Sequence, residues 1–495
     1  MSKVYIIGTG PGDEDLLTIK AVDALQKCTA VLYDRLVSNN ILNYLDEKCK
    51  VYYCGKEPGA HYKTQEEINE SLVNLAKEGH IVGRIKGGDP YVFGRGGEEA
   101  LALIEENIDF EVIPGVTSPI SVLNYAGIPI TQRGMSQSFH IITGMTAGVL
   151  NINWEAVAKE KGTLVFMMGL NNLGDIIKNL ISNGKDENTK VAVIMRGTSS
   201  KQKKVVGTIK DIEEKVEKAK LKSPCIIVMG EVVSLNDRLN WYEDKPLFGS
   251  NICVTRSREQ ASNLKKKLKD LGAEVTEINS IKIHSTKENL DEVKDKIHEY
   301  DHILLTSVNG VNLFFEYIIE NKIDIRNIKA KFSVVGKATR KALEQKGIQA
   351  FLMAREFVGE GLFNSLKPHL NSSEKVLLPC SSGSRSYLKD EIEKLGLTVD
   401  RIHTYDTICG EVKNKKVFDE VDFILYTSPS TVNNMISLFG VDKIKQKHNI
   451  AIGPQTFKAL KESDIVSHMC RKHSEDGFLD EIVEIYKTYK ESKGE

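Results

Sequence analysis

The sequence lacks several things that would have fixed a function at once. Its eight cysteines include no CxxC pair and follow no regular spacing, which excludes a disulfide framework and a zinc ribbon and points to reduced thiols. No metal-ligand cluster is expected anywhere. No apolar run approaches the ~20 residues that a membrane helix needs. With 67 basic and 68 acidic side chains the net charge is −1, so there is no global basic field and no electrostatic case for nucleic acid. An anionic substrate must then be met by local clusters of cations. The phosphate-cradling GxxxxGK[ST] loop is missing. The start, "MSKVYIIGTG", runs straight into a strand without signal-peptide design, and a cytoplasmic protein is expected.

What is present is an ordinary soluble composition, 41% hydrophobic and 27% charged over 495 residues, long enough for two or three domains. Short apolar runs, "KVYIIG", "AVLYD", "HIVGRIKGG", "FEVIPG", "FHIITG", "GTLVFMMG", "KVAVIMRG" and "SPCIIVMGEVV", read as strands. "DLLTIKAVDALQKC", "TQEEINESLVNLAKEG" and "GGEEALALIEEN" read as helices between them. That alternation predicts an α/β domain with largely parallel strands. It stops near residues 238–250, where Pro246 and Gly249 break the pattern.

A second α/β series follows and carries an internal repeat. "LKKKLKDLGAEVTEINSIKI" resembles "LKDEIEKLGLTVDRIHTYDT", "DHILLTSVNGV" matches "DFILYTSPSTV", and "SVVGKATRKALEQKGI" matches "IAIGPQTFKALKESDI". The blocks recur in one order, which predicts two similar α/β lobes.

Two glycine-rich loops carry the chemistry of the first domain. "GTGPGDEDLLT" opens like a dinucleotide fingerprint, with Asp34 at roughly the ~20-residue distance of a ribose-binding acid. GxGxxG would need a third glycine where Asp13 stands, and an acid at a helix start would repel a pyrophosphate there. NAD is the second choice. "RIKGGDPYVFGRGGEEA" joins a strand to a helix, a place where glycines let a ligand approach the backbone closely.

Together "GTGPGDEDLLT", "VLYDRLVS", "RIKGGDPYVFGRGGEE", "VIPGVTSPISVLNYAGIPIT" and "TLVFMMG" resemble the tetrapyrrole methylases, and most specifically uroporphyrinogen-III C-methyltransferase, over residues 3 to about 242. The resemblance implies S-adenosylmethionine as methyl donor, S-adenosylhomocysteine as its product, and a donor site at Pro11, Gly87, Gly88, Asp89, Val92, Thr117, Ser118, Met168 and Gly197. A donor with a zwitterionic tail and no phosphate suits such a set: glycines for close approach, Asp89, Thr117 and Ser118 for its polar groups, Val92 and Met168 for adenine. The same resemblance implies Asp34 as proton acceptor and Lys56 as donor in methylation of pyrrole carbons. The substrate's eight carboxylates would be met by Arg35, Arg84, Lys86, Arg95 and Arg133. Taken singly, Asp34 reads as a strand-end cap, Lys56 as a solvated side chain, Arg95 as a partner of Glu98 or Glu99, and Met168 as core. A homodimer through this domain is a further implication of the family.

Residues 250–490 show no nucleophile–base constellation. They have hydroxyl-rich strand ends instead, "TSVNG", "CSSGSR" and "TSPS", with "GKAT" and "GPQT". Free N–H groups where strands turn into helices bind carboxylates, although a single Ser or Thr there more often caps the helix. "TSVNGV", "TSPSTV", "IGPQTFKAL" and "YDT" resemble uroporphyrinogen-III synthase. The resemblance implies hydroxymethylbilane as substrate and Tyr405 as the group assisting loss of its hydroxyl. Thr306, Ser307, Arg385, Ser428 and Thr456 are the expected carboxylate contacts.

The fold implied is α/β throughout: a tetrapyrrole-methylase two-lobed α/β domain over residues 1–245, then a duplicated two-lobed α/β synthase domain over 250–490. The two resemblances name consecutive steps, ending at precorrin-2. The partners implied are small tetrapyrroles, with no nucleic acid and no membrane. Open alternatives are a methylase of another corrinoid intermediate with a non-catalytic tetrapyrrole-binding second half, and an NAD enzyme.

Overall fold

The computed structural model describes residues 2–55, 64–145, 151–255, 258–354, 359–412 and 414–493, without the side chains of 258–262 and 493. It separates into two compact units, Met1–Ile278 with Val412–Glu495, and Asn279–Glu411.

The larger unit starts with β1 (Lys3–Gly8), β2 (Ala30–Tyr33), β3 (Lys50–Tyr53), β4 (Ile81–Lys86) and β5 (Phe110–Ile113). They form a parallel sheet in the order β3-β2-β4-β1-β5. Val4, Ile6, Ile7, Val31, Leu32 and Val82 are fully buried, as a parallel sheet covered on both faces requires. The crossover helices begin at sequence-encoded caps. Thr18 accepts from Ala21 N ahead of the helix Ile19–Lys27, and Thr64 and Glu67 close a capping box on the helix Gln65–Lys77.

The second sheet comprises β6 (Phe139–Thr143), β7 (Thr163–Met167), β8 (Lys190–Met195), β9 (Lys203–Thr208) and β10 (Cys225–Met229), in the order β6-β7-β10-β8-β9. Here the expectation of largely parallel strands fails. Only β6 and β7 run parallel, and the β7–β10, β10–β8 and β8–β9 pairs are antiparallel. The physical reason is visible at β8 and β9: the connection of residues 196–202 is too short for the crossover a parallel pair needs. The polar-alternating strands β3 and β9 were also not among the expected runs.

After β11 (Asn251–Val254) and β12 (Glu274–Glu277) the chain enters the smaller unit. That unit holds β13 (Ile281–Ser285), β14 (His302–Leu305), β15 (Lys331–Val334), β16 (Leu352–Met353), β17 (Lys375–Ser381) and β18 (Thr398–Cys409). The chain then returns as β19 (Phe423–Tyr426), β20 (His448–Ala451) and β21 (Ser467–Met469). The sheet orders are β12-β11-β19-β20-β21 and β13-β18-β17-β14-β15-β16. Aligned by the sequence repeat, β12-β11-β19-β20-β21 corresponds strand for strand to β18-β17-β14-β15-β16, all parallel. The duplication is therefore real in topology, with β13 added antiparallel to β18. Among the described residues no helix is long and apolar enough to cross a membrane.

Candidate active sites

In the first sheet the loops leaving β1, β4 and β5 meet at the carboxyl ends of the strands, where open parallel sheets bind ligands. Gly10 and Gly88 exchange backbone hydrogen bonds of 3.2 and 2.6 Å. Gly115 is packed so closely that a Cβ there would lie 2.2 Å from the Gly88 carbonyl oxygen and 2.7 Å from Gly8 C. Asp89 ties two loops together, its Oδ1 accepting from Tyr91 N at 2.8 Å and its Oδ2 from Gly115 N at 3.1 Å. The aspartate expected at the donor's polar groups thus also shapes the loops around them. Thr117 precedes the helix Ser118–Tyr125 without capping it through its side chain; Pro119 has no N–H and Ile120 N donates to Thr117 O, which leaves the Thr117 hydroxyl and Ser118 N to a ligand. A Cβ on Gly88 would meet only Ser118 N, at 4.0 Å. Val92 is half-buried in the turn after Asp89.

Met168 and Gly197 follow strands β7 and β8 of the second sheet. β7 and β8 both end beside the start of β10, so the two residues leave the sheet at one edge. Met168 is 43% exposed with φ +57°; it is not core. Gly197 lies against the helix Ser118–Tyr125, where a Cβ would come within 2.4 Å of Val122 Cγ1. Thr198 Oγ1 accepts from Asp13 N at 3.2 Å, joining this loop to the one that carries Pro11. Close-packed glycines, the Ser118 N–H at a helix start, an exposed methionine and no phosphate cradle fit S-adenosylmethionine.

Asp34 closes β2. Its Oδ1 accepts from Leu36 N at 3.0 Å and its Oδ2 from Arg84 Nη2 at 3.2 Å. Arg84 and Lys86, expected to meet substrate carboxylates, are buried and committed elsewhere. Arg84 Nε and Lys86 Nζ both donate to Glu99 Oε1 at 2.8 Å, and Arg84 Nη1 donates to Ile85 O. Same-face positions on a parallel strand bury both cations, and Glu99 of the next helix compensates them together while Asp34 adds a second partner for Arg84. Burial, then the Arg84 guanidinium, pulls the Lys86 amine down; burial would also lower Arg84, but Glu99 and Asp34 outweigh it and hold it up. Arg95 is exposed and bidentate to Glu98 at 2.8 and 2.7 Å. Arg35 and Arg133 are exposed. Lys56 lies outside the described residues.

In the smaller unit Tyr405 and Ser307 are brought together, Tyr405 Oη and Ser307 Oγ standing 2.8 Å apart. Ser307 also caps its helix, accepting from Gly310 N at 3.0 Å. Tyr405 is buried, and that burial raises its hydroxyl above the usual tyrosine range. Thr306, half-buried, follows β14 next to Ser307. β14 neighbours β17, whose end leads into Ser382–Ser384; this is the point where the order of strands reverses, the usual crevice of a doubly wound sheet. Arg385 is not free for a carboxylate in this structure, since both its terminal nitrogens donate to Glu360 at 2.7 and 2.9 Å.

In the larger unit Ser428 and Thr431 form a capping box. Thr456 is buried in the first turn of the helix Pro454–Glu462. Ser428 thus serves its helix end, because a short hydroxyl at a strand-to-helix junction finds backbone N–H groups before it finds solvent.

Sequence reading missed Glu99, which looked like one of two acids at a helix start, and the roles of Asp13 and Tyr125. Tyr125 Oη donates to Asp13 Oδ2 at 2.9 Å. The only available signal was position within "GPGD" and "NYAG".

Compared with known families, residues 3–213 match the profile of the Tetrapyrrole (Corrin/Porphyrin) Methylases and residues 262–480 that of Uroporphyrinogen-III synthase HemD. The porphyrin biosynthesis protein HemD of Ruminiclostridium josui is 36% identical over 492 residues, 97% of this chain and 98% of its own. The chain belongs to the tetrapyrrole methylases in its first half and to the uroporphyrinogen-III synthases in its second. The methylase half is 47% identical over 240 residues to the S-adenosyl-L-methionine-dependent uroporphyrinogen III methyltransferase of Methanosarcina barkeri, covering 48% of this chain and 94% of that protein. It also aligns with the crystal structure of the native uroporphyrin III C-methyl transferase from Thermus thermophilus, at 37% identity over 47% of this chain and 99% of that one, with a TM-score of 0.41. A methylase half and a synthase half in one chain make a bifunctional enzyme of tetrapyrrole biosynthesis.

Proposed function

We propose that the synthase half closes hydroxymethylbilane to uroporphyrinogen III, and that the methylase half then transfers two methyl groups from S-adenosylmethionine to give precorrin-2. The observation that carries this reading is the pairing itself: one chain, matched end to end by a relative named for porphyrin biosynthesis, contains two families whose reactions follow one another.

S-adenosylmethionine, when bound, supplies an electrophilic methyl group. Pro11, Gly87, Gly88, Thr117, Ser118, Met168 and Gly197 would hold it, with Asp89 fixing the loops and Val92 closing the turn. Asp34, held by Arg84 and Leu36 N, would take a proton as a pyrrole carbon is alkylated. Arg84 and Lys86 act on this base and on Glu99 rather than on the substrate. The exposed Arg35 and Arg133 remain the cations for its carboxylates, and Arg95 would first have to leave Glu98. In the synthase, Tyr405 stays protonated and can donate to the departing hydroxyl when Ser307 donates to it in turn. Thr306 and the adjacent strand-end N–H groups would position the chain for closure.

Anaerobic incubation of the full chain with hydroxymethylbilane and S-adenosylmethionine, read by mass spectrometry and isomer chromatography, tests both halves. A doubly methylated type III product is expected. Unmethylated type I product would mean an inactive synthase, and unmethylated type III product an inactive methylase. A methylase that accepts only a later corrinoid, beside a silent synthase half, would sink the proposal.

A further inference from the structure

The donor loops of the methylase are the same loops on which the first lobe of the synthase is docked. Asp13, two residues beyond Pro11, receives Tyr125 Oη on Oδ2 and Lys269 Nζ on Oδ1, at 2.9 Å each. Lys269 belongs to the helix Arg258–Asp270 of the synthase half. It also reaches Asp15 at 2.7 Å and Glu14 at 3.5 Å. One turn earlier on that helix, Lys265 pairs with Glu14 at 2.6 Å and with Glu277. Glu14 and Glu277 are buried and both lysines nearly so, and buried charges of this kind are tolerable only as a set.

The other donor loop is gripped in the same way. Ser200 donates to Glu274 Oε2 from both N and Oγ, at 2.8 and 2.7 Å. Arg196 Nη2 lies 2.9 Å from both carboxylate oxygens of Glu420. These two residues bracket Gly197. Arg196 and Thr198, on either side of it, have φ of +47° and +69°, conformations that non-glycine residues keep only where their surroundings over-determine them. Asp13 and Gln202 hold Thr198 through its Oγ1 and N at 3.2 and 2.8 Å. Lys269, Glu274 and Glu420 of the synthase half thus fix the residues that flank Pro11 and Gly197.

We propose that Lys269, with Lys265 and Glu274, is a positioning residue of the methyl-donor site: the synthase lobe completes that site by holding its two loops in place. This rests on the donor-site reading above. Because coupling is reciprocal, donor binding in turn tightens the docked segment of the synthase lobe, residues 263–278.

The test uses the full chain and S-adenosylhomocysteine as probe. Lys269→Met is expected to weaken its binding by roughly 3- to 30-fold, the usual span of remote coupling. The methyl-donor KM should rise while the tetrapyrrole KM and the synthase rate stay within about twofold, and Lys269→Arg should restore donor binding. A general loss of structure would move all of these together. In the wild-type chain, S-adenosylhomocysteine should slow amide exchange in residues 263–278. Donor binding unchanged in Lys269→Met, together with unchanged exchange in that segment, overturns the proposal. If Lys269→Met does not fold, wild-type exchange decides alone: slowed exchange supports the coupling and unaltered exchange overturns it. Gly88→Val separates the premise from the inference, because a variant that still binds the probe normally would refute the donor-site reading itself.

Discussion

Arg84 links Asp34 to Glu99: Nη2 donates to the first at 3.2 Å and Nε to the second at 2.8 Å. A side chain that by charge alone would be assigned to the substrate instead spans the distance between the proposed base and a buried acid. Asp34→Asn is therefore expected to lower methyl transfer by about 100- to 10,000-fold, with S-adenosylhomocysteine affinity within about twofold. Arg84→Met should instead destabilise the fold by ~3–5 kcal/mol, since it leaves a buried acid with one partner fewer. Single-turnover kinetics and urea unfolding separate the two effects.

Gly115→Ala should disrupt the donor site without touching a ligand contact. Its Cβ would sit 2.2 Å from Gly88 O, so the loops must part, at a cost of ~1–3 kcal/mol. Gly97→Ala, where a Cβ would meet nothing within 4 Å, is the matched control and should be neutral or stabilising by up to ~1 kcal/mol. Isothermal titration with S-adenosylhomocysteine should show binding lost in the first variant and kept in the second.

Tyr405→Phe removes the hydroxyl that faces Ser307 at 2.8 Å. Synthase turnover is expected to fall about 100-fold, with type I isomer appearing as spontaneous closure overtakes the enzyme. Stability should fall by only ~0.5–1.5 kcal/mol. Unchanged isomer ratio and rate would reduce Tyr405 to a packing residue.

Glu111 supplies a pH marker. Hydrogen bonds from Lys20 and then Lys3 hold its carboxyl down at about 2. A folded-state value below the unfolded one, ~4.3, contributes stability that is present above the unfolded value and lost as pH falls toward the folded one. The difference in urea midpoint between wild type and Glu111→Gln should therefore be full at pH 7 and shrink between about pH 4.3 and pH 2. The partly exposed site keeps that difference small.

The sequence by itself determined the alternation of strands and helices in the first sheet apart from the polar-alternating β3, because buried parallel strands and capped amphipathic helices are local patterns. It also determined the duplication, since the repeat blocks in "DHILLTSVNGV" and "DFILYTSPSTV" reappear as equivalent strands, β14 and β19. The glycines that let Gly10, Gly88 and Gly115 meet were legible too, because no other residue permits such approaches. Only the tertiary structure decided which charges are available. Arg84 and Lys86 are committed by Glu99, 15 and 13 residues further on, and Asp13 by Lys269, 256 residues away. Charge pairing depends on distance through space and on burial, and neither is written in the spacing of residues along the chain.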